Sequence, residues 1–153
     1  MAIIFCGEKA HQIDEKNRIR IPSCFKTDLG AGYVFGKGPN GVIDILPKET
    51  VDKRLTALQE RFGGEFCDEE IQELLYNYSS NFINASEDSQ GRVVLPEELR
   101  DYAKINKDVV TIGAIDHLVL MSKEKRAEQQ GKQSYSDTLR LLKDKLSAKK
   151  DGV

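Results

Sequence analysis

Apolar and polar residues alternate through Arg18-Ile19-Arg20-Ile21, the period-two pattern of a half-buried strand, and the run from Lys9 to Asp14 supplies an antiparallel partner for it. A second predicted hairpin joins Tyr33–Gly38 to Val42–Leu46 through Pro39-Asn40-Gly41, where Asn-Gly is a strong turn signal. A third joins Val109–Ile112 to Leu118–Met121 through Gly113-Ala114-Ile115-Asp116. Elsewhere the period changes. Val51, Leu55, Leu58 and Phe62 fall four, three and four apart, a helical face that Gly63-Gly64 ends. A second helix begins at Asp68 as N-cap and carries Ile71, Leu74, Leu75 and Tyr78 on one side. Pro22 and Pro96 each open a short helix, closed in the first case by Gly30 and Gly32 and in the second by Asn106. In the tail, Tyr135, Leu139, Leu142 and Leu146 repeat the helical spacing, an apolar stripe expected to pack on its own protomer or a neighbour, with fraying expected after Ser147.

The pattern occurs twice. Asp14-Glu15-Lys16-Asn17-Arg18-Ile19-Arg20-Ile21-Pro22 returns 74 residues later as Asp88-Ser89-Gln90-Gly91-Arg92-Val93-Val94-Leu95-Pro96. One inserted residue later the offset is 75, and Val42-Ile43-Asp44-Ile45 aligns with His117-Leu118-Val119-Leu120. A register that survives an insertion over some forty residues marks a tandem duplication. Each copy reads as two hairpins with a short helix between them, too small for a core of its own, so the two copies are expected to intertwine. The predicted organisation is a first repeat over residues 7–49, a helical connector over 50–80, a second repeat over 81–124 and a helical tail over 125–153.

Composition narrows the chemistry. The opening apolar run, Ala2 to Cys6, is too short for a leader or a membrane span, which predicts a cytosolic protein with no membrane partner. Cys6, Cys24 and Cys67 make no CxxC pair, and His11 and His117 are isolated, so no metal or cofactor is expected. The formal net charge is −2, which argues against a general polyanion binder. The balance is local: residues 48–80 hold eight acids and four bases, whereas Glu8 to Lys26 hold five bases and three acids.

The repeated loop therefore carries the candidate function. Asn17 and Gly91 share the slot where a three-residue hairpin loop needs a left-handed residue. Asp14 and Asp88 are expected to structure the loops by accepting from loop N–H groups and pairing with Arg18 and Arg92. Two symmetry-related aspartates invite comparison with a proton-sharing dyad, but an Arg beside each would hold both ionised. No nucleophile motif or phosphate-cradling glycine loop is present, so no enzyme and no small-molecule substrate are expected. An Arg at a hairpin tip can instead fork onto guanine or clamp a phosphate, with Lys16, Asn17, Arg20, Gln90 and Gly91 as further contacts to double-stranded DNA.

With Gly7-Glu8 near the start, Asp14 to Arg18, and Asp88 to Arg92 followed by the aliphatic run and Pro96, the chain resembles the MraZ family. That resemblance implies an α+β fold of two tandem ββαββ swapped-hairpin, AbrB-like repeats in an intertwined β-barrel, with added helices between the repeats and at the C-terminus. It implies a ring-shaped homo-oligomer acting as a nucleoid-associated transcriptional regulator, on direct repeats in the promoter of its own division and cell-wall gene cluster. DNA contacts carried over by position come from Arg18 with Lys16, and from Arg92. Asn17 stands where the family usually has Gly, and Gln90 leaves the second tip without a Lys. The alternative is a ring-forming interaction protein that docks a protein partner on its acidic helices.

Overall fold

The computed structural model describes residues 3–63 and 68–151. Gly64 and Cys67, which enter the helix-ending and cysteine arguments above, lie outside the described residues. The alternating stretches form strands β1 (Glu8–Gln12), β2 (Arg18–Arg20), β3 (Val34–Lys37), β4 (Ile43–Leu46), β5 (Ile83–Asn84), β6 (Arg92–Val94), β7 (Asp108–Gly113) and β8 (Leu118–Ser122). Helices α1 (Ser23–Leu29), α2 (Lys48–Phe62), α3 (Glu69–Ser79) and α4 (Glu97–Ala103) lie between them, and α5 (Lys123–Lys132) and α6 (Tyr135–Asp151) follow. The chain is thus α+β, with a six-stranded antiparallel sheet in the open order β1-β7-β8-β4-β3-β5 and a two-stranded sheet β2-β6.

The expected return of β2 along β1 is corrected. Only the tip closes locally, with the Asp14 N–H donating to the Arg18 carbonyl at 2.9 Å. Beyond it β1 pairs with β7, and β2 pairs with β6. Burial explains the choice. β1 has no buried residue to offer, whereas β6 sets Val93, 2% exposed, opposite Ile19, 1% exposed. Pairing across the halves puts Ile19, Ile21, Phe25 and Leu29 in one core with Val93, Leu95, Leu99 and Ala103, under the floor made by Tyr33, Phe35, Ile43, Ile45, Leu118 and Leu120. The β3–β4 and β7–β8 hairpins form as the turn residues predict, the first through Asn40 and Gly41, both at positive φ.

Pro22 and Pro96 precede α1 and α4, and Gly30 ends α1 at φ 73°. The second helix is closed by Lys104 in a left-handed conformation, two residues before Asn106, with its N–H donating to the Arg100 and Asp101 carbonyls. Asp68 caps α3 by accepting from the Ile71 N–H at 3.0 Å. Gly113 is a close approach: a Cβ there would overlap the backbone of Phe5 and Cys6, which run alongside β7.

Two compact units divide the chain, one ending at Ser122 and one beginning at Lys123. The second holds α5 and α6, with α6 opened by a reciprocal cap in which Ser134 Oγ accepts from the Asp137 N–H and Asp137 Oδ2 from the Ser134 N–H. α6 continues to Asp151, past the expected fraying point. Tyr135, Leu139, Leu142 and Leu146 are exposed in the single chain.

Candidate nucleic-acid interface

The two repeated loops fold alike, atom for atom. In the first, Asp14 Oδ1 accepts from the N–H groups of Lys16 and Arg18, both at 2.9 Å, and Oδ2 accepts from Arg18 Nε at 2.8 Å. In the second, Asp88 Oδ1 accepts from the Gln90 and Arg92 N–H groups at 2.9 Å, and Oδ2 from Arg92 Nε at 2.8 Å. The tips close at Asn17 (φ 61°) and Gly91 (φ 77°), so each loop turns through the left-handed region where the shared slot required it. The Arg18 N–H holds the Asp14 carboxyl below the ordinary carboxylate range, and the Arg92 N–H does the same for Asp88. Both aspartates are therefore structural anions at neutral pH.

Each arginine is thus held in an ion pair within its own loop, by its Nε edge. Arg18 Nη1 also comes within 4.0 Å of Asp88 Oδ2, whereas Arg92 has no partner besides Asp88 among the described residues. The carboxylate fixes the plane of the guanidinium, and the Nη edge is what remains to meet an acceptor.

The β2–β6 register decides which side chains share a face. Arg18 lies opposite Val94 and Arg20 opposite Arg92, so these four stand together on the side of the ribbon away from Ile19 and Val93. Val94 is 56% exposed there. The loops leave from opposite ends of this three-residue ladder, two steps of about 3.4 Å and so roughly 7 Å apart. Lys16 and Asn17 sit at one tip, Gln90 and Gly91 at the other.

One stabilising network has no counterpart in the first copy. Glu87, just before the second loop, bridges to Val93, accepts from the Tyr33 hydroxyl at 2.6 Å and pairs with Lys26, whose ammonium lies 5.2 Å from the Tyr33 ring centre. Burial pushes the Glu87 carboxyl up, but the hydrogen bonds from Lys26 and Tyr33 outweigh it and hold the group below its ordinary value. Burial and the Glu87 carboxylate push the Tyr33 hydroxyl far up. Sequence reasoning missed this triad. The signal was present, because the residue aligned with Glu87 is the buried, apolar Ile13.

The isolated histidines have separate settings. His11 Nε2 meets Thr111 Oγ1 at 2.6 Å, and burial lowers its pKa. His117 lies 3.5 Å from Asp44 and 2.7 Å from Asp116; burial alone would lower its pKa, but the two carboxylates outweigh that and raise it. No group of three or more His, Cys, Asp or Glu residues able to hold a metal ion occurs among the described residues. No described helix is long and apolar enough to cross a membrane.

The family model described as "MraZ protein, putative antitoxin-like" matches residues 83–139. The "Transcriptional regulator MraZ" of Clostridium tetani is 34% identical over 128 residues, covering 82% of this chain and 86% of the relative. The protein of the same name from Syntrophomonas wolfei is 32% identical over 146 residues, covering 92% and 98%. That of Desulforamulus reducens is 28% identical over 148 residues, covering 94% and 100%. With about a third of positions identical over most of both chains, the chain belongs to the MraZ family.

Proposed function

We propose that this chain is a transcriptional regulator that binds double-stranded DNA with the outward face of the β2–β6 ribbon and the two loops beside it. The observation that carries the reading is the shared face: Arg18, Arg20 and Arg92 stand together, two of them held in plane by loop aspartates. The loop separation of roughly 7 Å matches about two base-pair steps, so both loops of one chain reach neighbouring positions in a duplex. The names of the relatives, "Transcriptional regulator MraZ", support the regulatory role. Asp14 and Asp88 structure the loops, Lys16 and Arg20 neutralise phosphate, and Asn17, Gln90 and Gly91 shape the tips.

A single face of this size binds weakly, so several copies must act together. The finer assignment is a swapped-hairpin barrel assembled into a homo-oligomeric ring, read out on direct repeats in the promoter of the chain's own division and cell-wall gene cluster. Strand exchange between the halves and the exposed leucines of α6 support that assignment. A second reading, a ring that docks a protein partner, is favoured by one observation. Leu58, Phe62, Leu74 and Leu75 line an open apolar surface between α2 and α3.

Fluorescence anisotropy on the DNA upstream of the chain's own gene tests the proposal. Lys16, Arg20 and Arg92, the three cations assigned to phosphate, predict a log–log salt slope of about −2.7 per engaged chain, from about 0.9 per phosphate. Arg18→Ala is expected to weaken specific binding by about 1–3 kcal/mol and to reduce the preference over random DNA. Arg92→Ala is expected to weaken all sequences alike and to reduce the slope by about 1. Unchanged affinity and slope in both variants would remove the ribbon face from the mechanism.

A further inference from the structure

Beside the arginine face lies an open groove of about 640 Å3, lined by Lys9 and Ala10 of β1, by Arg18 and Arg20 of β2 with Pro22 after it, and by Arg92. It exists because β1 and β2 part company after the loop, each pairing with a strand of the other half. The charges in it do not balance. Of the four cations that line it, Arg18 and Arg92 are held by Asp14 and Asp88, whereas Lys9 and Arg20 have no carboxylate of their own. Neither Lys9 nor Arg20 makes a hydrogen bond or ion pair among the described residues. Arg20 sits directly opposite Arg92 across the ladder; Asp88 holds the Nε edge of Arg92, which leaves Arg20 as the cation of that like-charged pair without a counter-ion. His11 adds no charge near neutral pH, because its Nε2 is engaged by Thr111 and burial lowers its pKa.

We propose that this groove binds a small phosphorylated molecule whose phosphate bridges Lys9, Arg20 and Arg92, and that the ligand competes with DNA for the arginine face. The volume selects the class: it is within the roughly 300–1,000 Å3 of small-molecule sites and far larger than a bare phosphate needs. Ala10 and Pro22 offer an apolar wall for an organic portion, so the ligand is a phosphate ester of nucleotide size. The binding itself is independent of the proposed function; only the competition rests on it.

The test is calorimetric titration of the full chain, without DNA, with ADP, inorganic pyrophosphate and adenosine at one fixed ionic strength. Saturable binding of ADP is expected, at least fivefold tighter than pyrophosphate, with adenosine silent. Lys9→Glu, an exposed change, is expected to weaken ADP at least tenfold, more than it weakens promoter DNA, while leaving the melting curve unchanged. ADP should displace promoter DNA from the native chain but not from Lys9→Glu. Absence of saturable binding, equal binding of pyrophosphate and ADP, or ADP binding unaffected by Lys9→Glu overturns the proposal. If ADP binds through Lys9 while the unliganded chain ignores DNA, the proposed function fails and this inference stands.

Discussion

Tyr33→Phe isolates the triad beneath the second loop. Tyr33 is 1% exposed, and the substitution removes the hydroxyl that donates to Glu87 at 2.6 Å while leaving the ring packed against Phe35. A hydrogen bond to a charged acceptor contributes about 1.5–3 kcal/mol. Glu87 is 25% exposed and keeps Lys26 and water as donors, which places the expected loss at the lower end, about 1–2 kcal/mol. For a chain of this size that is a fall in Tm of about 3–6 °C, at an unchanged urea m-value. The pH dependence has a definite sign. The folded carboxyl lies below its ordinary 4.5, so the contribution is present above that value and lost as pH falls through the folded pKa. Urea denaturation of both proteins from pH 7 to pH 3 should show the gap closing in acid, and a double-mutant cycle with Glu87→Ala should return a coupling of about 1 kcal/mol. A variant as stable as the native chain at pH 7, or a gap that survives below the folded pKa, refutes an ionic anchor for the second loop.

At the first loop, Asn17→Val forces a β-branched residue to φ 61° and is expected to cost about 2 kcal/mol in thermal melts, whereas Asn17→Gly is expected to lie within about 0.5 kcal/mol of the native chain. His117, between Asp44, Asp116 and Arg54, has a folded pKa above the ordinary 6.5, so its contribution is full below 6.5 and lost as pH rises through the folded value. The stability difference between the native chain and His117→Gln should therefore shrink from pH 6 to pH 9 in urea melts. A constant difference excludes ionic coupling of His117 to those carboxylates.

The elements were legible because each obeys a local rule. Alternation marks β2, its recurrence 74 residues on marks β6, Asn40-Gly41 can both take positive φ, and Asp68 precedes a helical face. Partner choice was less legible, because it is settled by burial: Arg18 to Ile21 could pair with β1 by proximity, and only the gain of setting Ile19 on Val93 sends it to β6. The site divides the same way. The Asp–Arg geometry of each loop follows from five consecutive residues. The Lys26–Tyr33–Glu87 triad spans 61 positions along the chain and had no local pattern to reveal it. The placement of Arg20 beside Arg92 is likewise a consequence of register, which the sequence leaves open.

That register also makes the two ends of the ribbon unequal. In the duplication Arg18 corresponds to Arg92, but Arg20 corresponds to Val94. Because β2 and β6 run antiparallel, Arg20 is carried to the end where the second loop begins, and Val94 to the end beside the first. The second tip, which has Gln90 where the first has Lys16, thus receives a cation from the other half of the chain. The first end pairs a fixed guanidinium, Arg18, with an exposed aliphatic side chain, a combination suited to guanine beside a thymine methyl. The second end, with Arg92 and Arg20 opposed, is suited to phosphate. Under the proposed function the division of labour is therefore directional: loss of sequence preference belongs to Arg18→Ala and loss of salt slope to Arg92→Ala, and identical behaviour of the two would mean that the ribbon reads DNA without distinguishing its ends.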